Sequence, residues 1–422
     1  MEIRQSRRPS GAAAVLEPVP ASHSVTIGFW FPLGSGMEMD SERGYTHFVE
    51  HMLFKGTGTR DARTLARQAE RAGGYLNAFT EKNTLCVHCT LPADRWADAV
   101  ELLADMAFRS VFDPAEFLRE RDVIRSEVLA ARDDPEEDAA DEFHARVWSG
   151  HPLARRVAGE PADVDRVDRD GLFRFYRDYL VPGNLTVSAA GNFDPERLAS
   201  ALDAALEGVP AGRPVPATSG PEFHPGSWCR SAPAGQVYLV SGFELPPGLA
   251  REELAALDAL NCAFGESSSS RLFQNIREAR GLCYSIGSSY ASAREYGMFY
   301  VTAVSAPSNF PRLWDMIRSE LDGLHMSGLT EEEVAEAVAH IHGQDMVAAD
   351  DTETRMRTLA RQWMRFGRAE PYETFCRGIL GVDPERVRAV RDLIFRGSSG
   401  ALAYGRIGAR IRNSLGADEN GG

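Results

Sequence analysis

The two halves of this 422-residue chain repeat the same order of predicted elements, and this repeat constrains the fold more than any single motif. In each half, a strand is followed by helices, by two further strands and by two more helices. The first set runs from Val25 to Ala131 and the second from Gln236 to Val347. The repeat predicts two homologous α+β domains produced by an internal duplication.

A segment rich in proline and glycine separates the two halves. Residues 210–221 contain four prolines and two glycines, a composition that neither a helix nor a strand tolerates. A chain of 422 residues also exceeds what one hydrophobic core usually serves. We therefore expect an N-terminal domain over residues 1–209, a linker over 210–230 and a C-terminal domain over 231–422.

Charge and composition exclude several classes of partner. The net charge of −15 argues against nucleic acid, because phosphate binding needs clustered lysine and arginine. No apolar run reaches the length needed to cross a membrane, so no membrane partner is expected. Six cysteines in a chain of this length do not form a disulfide framework, and we expect a cytoplasmic protein with reduced thiols. The acidic balance would favour basic peptides among its substrates.

Three segments that could carry a function are interpreted as structural. The acidic run over residues 133–142 is read as a solvated face in preference to a patch that steers substrate. Residues 1–20 are read as a first strand and turn in preference to a removable targeting peptide, because no adequate apolar core of a signal follows the arginines. In the C-x-x-C segment over residues 86–89, a strand would point the two sulfurs to opposite faces, which argues against a metal site.

The sequence from His47 to His51 reads H-x-x-E-H and predicts a metal site on a helix. Residues four apart share one helical face, so both imidazoles lie together and Glu50 lies beside them. Two neutral imidazoles are suitable ligands for zinc, and the neighbouring carboxylate can accept a proton from a water molecule. This order of residues is H-E-x-x-H reversed, the inverzincin pattern. Catalytic zinc usually has three protein ligands, so a third must come from elsewhere in the chain.

A predicted helix over residues 114–129 places two carboxylates on one face. Glu120 and Glu127 are seven residues apart, which is close to two helical turns. Taken alone, the pair could belong to a solvated helix face.

Glu127 lies 76 positions after His51, and with this spacing the chain resembles the M16 family of zinc metallopeptidases, the group of pitrilysin, insulysin and mitochondrial processing peptidase. The resemblance implies that His47, His51 and Glu127 hold one Zn²⁺ per chain and that Glu50 is the catalytic base. It also implies that Glu120 supports the site from behind the ligands, a role typical of residues that orient metal-binding side chains.

Two further segments resemble substrate-binding parts of the same family. Residues 73–80 look like the edge strand on which substrate peptide adds as a further strand, with Asn77 and Ala78 as substrate contacts. Without the resemblance, this segment is an ordinary strand after a glycine turn. Arg277 and Tyr284 match the pair that holds the substrate carbonyl and stabilises its oxyanion. Without the resemblance, they are a surface helix residue and a strand residue.

The second half has no H-x-x-E-H at the equivalent position, so only one half can hold the metal. The resemblance implies that each domain is a mixed, largely antiparallel sheet flanked by helices, and that the two domains face each other across an enclosed cleft. One segment departs from the family pattern. Residues 265–272 contain one glycine and four serines where relatives carry a glycine-rich stretch.

The sequence therefore predicts a zinc endopeptidase that hydrolyses short or unfolded peptides, with the zinc motif and the Arg–Tyr pair in one self-sufficient chain that forms a homodimer. Two alternatives stay open. The chain could be a non-catalytic scaffold or partner subunit of a processing complex, although such relatives typically lose the zinc motif. It could also be a maturation peptidase dedicated to one peptide-derived product, because that role uses the same chemistry.

Overall fold

A computed structural model describes residues 2–417 of the chain. The strands of the first half are β1 (Arg4–Arg7), β2 (Ala13–Pro18), β3 (Ser24–Phe31), β4 (Tyr75–Thr80), β5 (Leu85–Pro92) and β6 (Thr186–Gly191). Its helices are α1 (Tyr45–Leu53), α2 (Ala62–Arg71), α3 (Trp96–Arg109), α4 (Pro114–Asp133), α5 (Pro135–Val147), α6 (Pro161–Arg166), α7 (Arg169–Tyr179) and α8 (Pro195–Ala205).

The second half repeats this arrangement of strands and helices. Its strands are β7 (Gly226–Ser231), β8 (Val237–Leu245), β9 (Ser285–Ser292), β10 (Gly297–Ser305) and β11 (Ser399–Gly405). Its helices are α9 (Arg251–Asn261), α10 (Phe310–Ser327), α11 (Glu331–Ala348), α12 (Thr352–Phe366), α13 (Tyr372–Arg377), α14 (Pro384–Arg396) and α15 (Ala409–Leu415).

The two sheets share one topology. The first has the strand order β1-β2-β6-β3-β5-β4 and the second β7-β11-β8-β10-β9, so the second repeats the first without β1. Among the strands of residues 2–417, only β2 with β6 and β7 with β11 pair in parallel, and every other pairing is antiparallel. The predicted α+β class, with two homologous domains built on mixed, largely antiparallel sheets flanked by helices, is therefore confirmed.

The chain forms two compact units whose boundaries differ from the predicted domain limits. One unit contains the chain up to Ala130, Arg155–Thr218 and Met346–Phe375, and the other contains Ala131–Ala154, Ser219–Asp345 and the chain from Cys376. The predicted domains, 1–209 and 231–422, are each continuous in sequence. The difference arises because α5 packs with the sheet of the second half and α12 packs with the sheet of the first half.

Two glycines make room for α5 and α12, the helices that each pack with the sheet of the other half. A Cβ atom at Gly28 on β3 would lie 2.4 Å from Sδ of Met356 on α12. A Cβ atom at Gly242 on β8 would lie 2.6 Å from Cζ of Phe143 on α5. Glycine inside a strand marks a close approach of this kind. Since β3 and β8 hold equivalent places in the two sheets, both units use a strand glycine to let a helix pack closely on the sheet.

Most predicted elements of the two repeats are present within a few residues. The predicted helix over 252–264 ends at Asn261 and continues as a π-helical segment, Cys262–Glu266, and the predicted helix over 271–280 is a second π-helical segment, Phe273–Glu278. The predicted first strand over residues 1–20 is divided into β1 and β2. No helix within residues 2–417 combines the length and apolarity needed to span a bilayer.

The acidic run beyond α4 has a local structural role. Asp134 caps α5 by accepting hydrogen bonds from the backbone N–H groups of Glu136 (2.9 Å) and Glu137 (3.3 Å). Carboxylates in the first turn of a helix are stabilised by the positive end of its dipole. Asp138 also accepts a hydrogen bond from the hydroxyl of Tyr404. These contacts explain much of the charge run without a substrate.

The C-x-x-C segment lies on β5, as expected for a structural pair. Cys86 packs against Trp30 and the α12 side of the first sheet, whereas Cys89 packs in the core on the other face. Burial raises the pKa of the Cys89 thiol to about 12. Both sulfurs are therefore buried thiols rather than metal ligands.

Candidate metal centre

Helix α1 carries the H-x-x-E-H motif and is fixed at its N-terminus by a buried carboxylate. Glu38 accepts hydrogen bonds from the N–H groups of Gly44 (2.8 Å) and Thr46 (2.7 Å), which otherwise have no partner in the first helical turn. Burial raises the pKa of Glu38 to about 7, although these hydrogen bonds act in the opposite direction. Gly44 enters the helix with φ of +80°, a conformation that favours glycine.

Aromatic packing holds α1 against α4, which carries the third predicted ligand. Phe48 and Phe117 stack with ring centroids 4.9 Å apart and planes 17° apart. Both rings are buried in the main core of the first unit. Because Phe117, Glu120 and Glu127 belong to one helix, this contact sets where the two carboxylates meet the imidazoles.

The three predicted ligands converge. Nε2 of His47 lies 3.6 Å from one carboxylate oxygen of Glu127, and Nε2 of His51 lies 3.3 Å from the other. The ligand atoms of the three residues lie within 4.8 Å of one another, and they are the only such group of histidine, cysteine or acidic side chains within residues 2–417. The His47 and His51 rings are 4.8 Å apart with planes at 72°.

This arrangement fits zinc. Ligand atoms about 2.0–2.2 Å from a tetrahedral Zn²⁺ are separated from one another by about 3.3–3.5 Å, close to the two separations between Glu127 and the imidazoles. Two imidazole nitrogens and one carboxylate are also a donor set typical of catalytic zinc with one open position. The Glu127 side chain is 52% exposed, so solvent can reach this ligand.

Glu120 contacts the ring nitrogen of His51 that does not face Glu127, and its supporting role stays a prediction. One of its oxygens is 3.0 Å from Nδ1 of His51 and the other is 2.7 Å from Nζ of Lys55. Its side chain is only 7% exposed. A carboxylate at Nδ1 fixes the tautomer of the imidazole and leaves the Nε2 lone pair for a metal.

Contacts between these side chains shift the pKa values of two of them. The imidazoles of His47 and His51 hold the pKa of the Glu127 carboxyl well below its usual range. Burial lowers the pKa of His51, but its hydrogen bonds with Glu127 and Glu120 outweigh this effect and raise it. A divalent cation bound between these side chains would be stabilised by the same carboxylates.

Glu50 lies on α1 beside the ligands and contacts the edge strand β4. Its Oε2 atom accepts a hydrogen bond from the hydroxyl of Thr80, the last residue of that strand. Among the described strands β4 pairs with β5 alone, which places it at the edge of the sheet. Asn77 and Ala78 lie on β4, where the Asn77 side chain accepts a hydrogen bond from the N–H of Ala78 at 2.9 Å. The substrate-binding role of both residues stays a prediction.

The predicted substrate-binding pair lies in the second unit. Arg277 belongs to the π-helical segment Phe273–Glu278, and its guanidinium lies 4.6 Å from the centroid of the Phe273 ring. Tyr284 comes directly before β9 and is 76% exposed. The first unit brings together His47, Glu50, His51, Glu120 and Glu127, whereas the action of Arg277 and Tyr284 on the same substrate stays a prediction.

Two contacts of the site were not anticipated from the sequence. Lys55 lies four residues after His51, one helical turn further along the chain. This spacing indicates that Lys55 could lie near His51, but it is only weak evidence for pairing with a buried carboxylate. Thr80 alternates with Ala78 on β4, so strand periodicity could have placed it on the same face as that residue. Neither pattern identifies the carboxylate that each residue contacts.

Models of two protein families match most of the chain. The model described as "Insulinase (Peptidase family M16)" matches residues 13–160, and the model described as "Peptidase M16 inactive domain" matches residues 166–341. The chain belongs to the peptidase M16 family. His47, His51 and Glu127 lie within the match to the insulinase model, and the match to the inactive-domain model begins after them.

Relatives within the M16 family are named zinc proteases. An uncharacterized zinc protease of Streptomyces coelicolor is 32% identical over 410 residues, which cover 93% of this chain and 88% of the relative. One of Mycobacterium tuberculosis is 33% identical over 414 residues, which cover 96% of this chain and 94% of the relative. These names support zinc as the cofactor and a protease as the general activity.

A solved structure supports the same fold. A protease from Helicobacter pylori superposes with a TM-score of 0.88 at 18% sequence identity, over 96% of this chain and 99% of the other. The M16 fold is therefore shared across nearly the whole length.

Proposed function

We propose that this protein is a zinc-dependent endopeptidase that hydrolyses short or unfolded peptides. The observation that carries the proposal is the convergence of His47, His51 and Glu127 within 4.8 Å, with Glu50 on the same helix as the two histidines. The apolar contacts of α1 with the core are made by Tyr45, Phe48, Val49, Met52 and Leu53, and they do not require this combination of polar side chains.

The polar side chains of the candidate metal centre have distinct roles in this proposal. Zinc, when bound, would supply a Lewis acid that polarises the scissile carbonyl and lowers the pKa of a water molecule. Glu50 accepts the proton of the attacking water and then delivers it to the nitrogen of the leaving amine. Glu120, which is paired with Lys55, accepts the hydrogen bond of Nδ1 of His51, so that Nε2 stays available as a ligand.

The edge strand β4 gives a reason for broad peptide specificity. A peptide that adds to the free edge beside Asn77 and Ala78 is bound by its backbone, which every sequence shares. Such a peptide must be extended, which favours short or unfolded chains over folded proteins. Arg277 and Tyr284 would hold the carbonyl oxygen of the scissile bond and stabilise the negative charge that develops on it.

The decisive experiment replaces Glu50 with glutamine. We expect Glu50→Gln to retain zinc, because the three ligands are unchanged, and to lose peptide cleavage by a factor of about 10² or more, because the base is gone. Cleavage of a quenched-fluorescence peptide and metal analysis of the purified protein measure the two properties. Glu70→Gln on α2, an exposed carboxylate, is the matched control and should retain both.

Two outcomes would contradict this assignment. Equal cleavage rates for Glu50→Gln and the parent would remove Glu50 from the mechanism. A parent protein that binds far less than one zinc per chain, with no activity that a chelator removes, would favour the scaffold-subunit alternative. We also propose that the active form is a homodimer, which light scattering after gel filtration measures directly.

A further inference from the structure

Thr80 occupies a defined place at the end of the edge strand. In the β4–β5 ladder it pairs with Leu85, the first residue of β5. Neighbouring residues of a strand point to opposite faces of the sheet, so Phe79 and Thr80 project in opposite directions. The Thr80 hydroxyl reaches Glu50 on α1, whereas the Phe79 ring lies on the side of the sheet that α12 covers.

Contacts of Phe79 and Tyr75 hold β4 in place from the α12 side. The Phe79 ring meets the Trp30 ring edge to face at 5.5 Å, and the guanidinium of Arg357 lies 4.4 Å from its centroid. At the other end of the strand, the Tyr75 hydroxyl donates a 2.8 Å hydrogen bond to Glu353, one helical turn before Arg357. With both ends of β4 held, the position of the Thr80 backbone is fixed relative to the sheet.

The hydrogen bond from Thr80 restricts the carboxylate of Glu50. A glutamate side chain has three rotatable bonds, and ordering such a side chain costs up to about 2 kcal/mol of conformational entropy. Threonine is β-branched and has few χ1 rotamers, so its hydroxyl is a stiff donor. Since Thr80 contacts Oε2, the other carboxylate oxygen is left to accept a proton.

We propose that Thr80 is a positioning residue that orients the general base Glu50 and ties that orientation to the strand on which substrate adds. Thr80 itself transfers no proton and binds no metal. Oε2 of Glu50 is anchored to β4, and Oε1 takes the proton from the attacking water. This inference rests on the proposed function, because only a peptidase needs Glu50 as a base.

The test removes the hydroxyl without changing the shape of the side chain. We expect Thr80→Val to lower kcat about 10-fold to 100-fold, the scale of a misplaced catalytic group, with KM within about twofold of the parent. Thr80→Ser, which keeps the donor, should recover most of the loss. Thr90→Val is the matched control, because Thr90 is a strand threonine that hydrogen-bonds Thr26 at 2.8 Å and does not contact Glu50.

Three measurements do not depend on turnover. Zinc affinity, measured by competition with a chelating dye, should be the same in Thr80→Val as in the parent. In a Glu50→Gln background, the Kd for an uncleaved peptide should also be unchanged by Thr80→Val, because strand addition does not use the hydroxyl. Crystal structures of the zinc-free parent and of Thr80→Val should show the Glu50 carboxylate rotated away from β4 only in the variant. Thr80→Ala serves in all of these experiments if the valine variant folds poorly.

Several results would overturn the inference. These are a kcat for Thr80→Val equal to that of the parent, a loss confined to KM, failure of Thr80→Ser to recover activity, or an unchanged Glu50 orientation in the crystal structure of the variant. A parent that binds zinc but cleaves no peptide would instead contradict the proposed function. The crystallographic comparison would still decide whether Thr80 orients Glu50.

Discussion

Nδ1 of His51 lies 3.0 Å from Glu120, on the opposite side of the imidazole from the nitrogen that faces Glu127. Glu120 is buried and its second oxygen meets the ammonium of Lys55 at 2.7 Å. A buried carboxylate is costly unless it is paired, so Lys55 offsets the burial of the group that orients the ligand. In the proposed centre, Glu120 and Lys55 would act without touching the metal.

Replacing Glu120 with glutamine should weaken zinc binding. The amide keeps the size of the side chain but loses the charge that fixes the His51 tautomer, and loss of such a partner typically lowers metal affinity about 10-fold to 100-fold. Competition with a chelating dye measures the change. Glu116→Gln, one turn earlier on α4, is the control. Equal zinc affinity in both variants would show that Glu120 does not support the site.

Replacing Tyr284 with phenylalanine should lower kcat by about 100-fold without changing zinc content. The variant keeps the ring and loses the hydroxyl that is proposed to stabilise the oxyanion, and a single donor of this kind contributes about 10²–10³ in rate. Steady-state kinetics on a quenched peptide measure the effect. Tyr238→Phe on β8 of the same unit is the control. A parental kcat for Tyr284→Phe would remove this residue from the mechanism.

Two glycine-to-alanine substitutions should have opposite effects on stability. A Cβ atom at Gly242 would meet the ring of Phe143 at 2.6 Å, and the resulting strain should lower the free energy of unfolding by about 1–3 kcal/mol. Gly343 lies inside α11, and no described atom lies within 4 Å of an added Cβ. Gly343→Ala should therefore raise the free energy of unfolding by about 0.5–1 kcal/mol. Chemical denaturation measures both. A neutral Gly242→Ala would show that α5 does not pack closely on β8.

Asp258 should make stability depend on pH. Burial raises its pKa to about 7, while the hydrogen bond from Tyr290 opposes the shift and the nearby carboxylates of Glu266 and Asp345 add to it. The folded chain therefore keeps a proton that the unfolded chain releases near pH 4. The stabilising contribution of this group to the free energy of unfolding is fully present below about pH 4 and is lost as pH rises towards about 7.

Asp258→Asn should remove this dependence, because asparagine can still accept the hydrogen bond from Tyr290 and carries no charge. The melting temperature of the variant, relative to that of the parent, should therefore rise by several degrees between about pH 5 and about pH 7.5. Asp322→Asn, an exposed change on α10, is the control. A constant difference over this range would contradict the raised pKa.

The sequence predicted the features that depend on local periodicity. Helical spacing placed His47, Glu50 and His51 together, and the repeat of elements indicated two similar sheets. Glu127 could be assigned only through the family resemblance, because a separation of 76 residues leaves no local signal. The structure brings that carboxylate to the imidazoles by stacking Phe48 on Phe117.

Non-local packing was not predictable in the same way. The apolar residues Met356, Leu359 and Ala360 indicate that one face of α12 is buried, but they do not identify which sheet covers that face. The contacts of Lys55 with Glu120 and of Thr80 with Glu50 depend on side-chain direction, which periodicity does not specify. The π-helical segments 262–266 and 273–278 likewise have the apolar pattern of ordinary helices.

The exchange of α5 and α12 determines where this chain can be divided. A fragment that stops at residue 209 would lack α12, so Trp30 and Met356 could no longer meet and an apolar face of the first sheet would be open to water. A fragment that starts at residue 231 would lack Phe143 and the rest of α5. Each half thus contains a helix that the other half needs to complete its core. A gene split at the linker would therefore yield native protein only when both pieces are produced together.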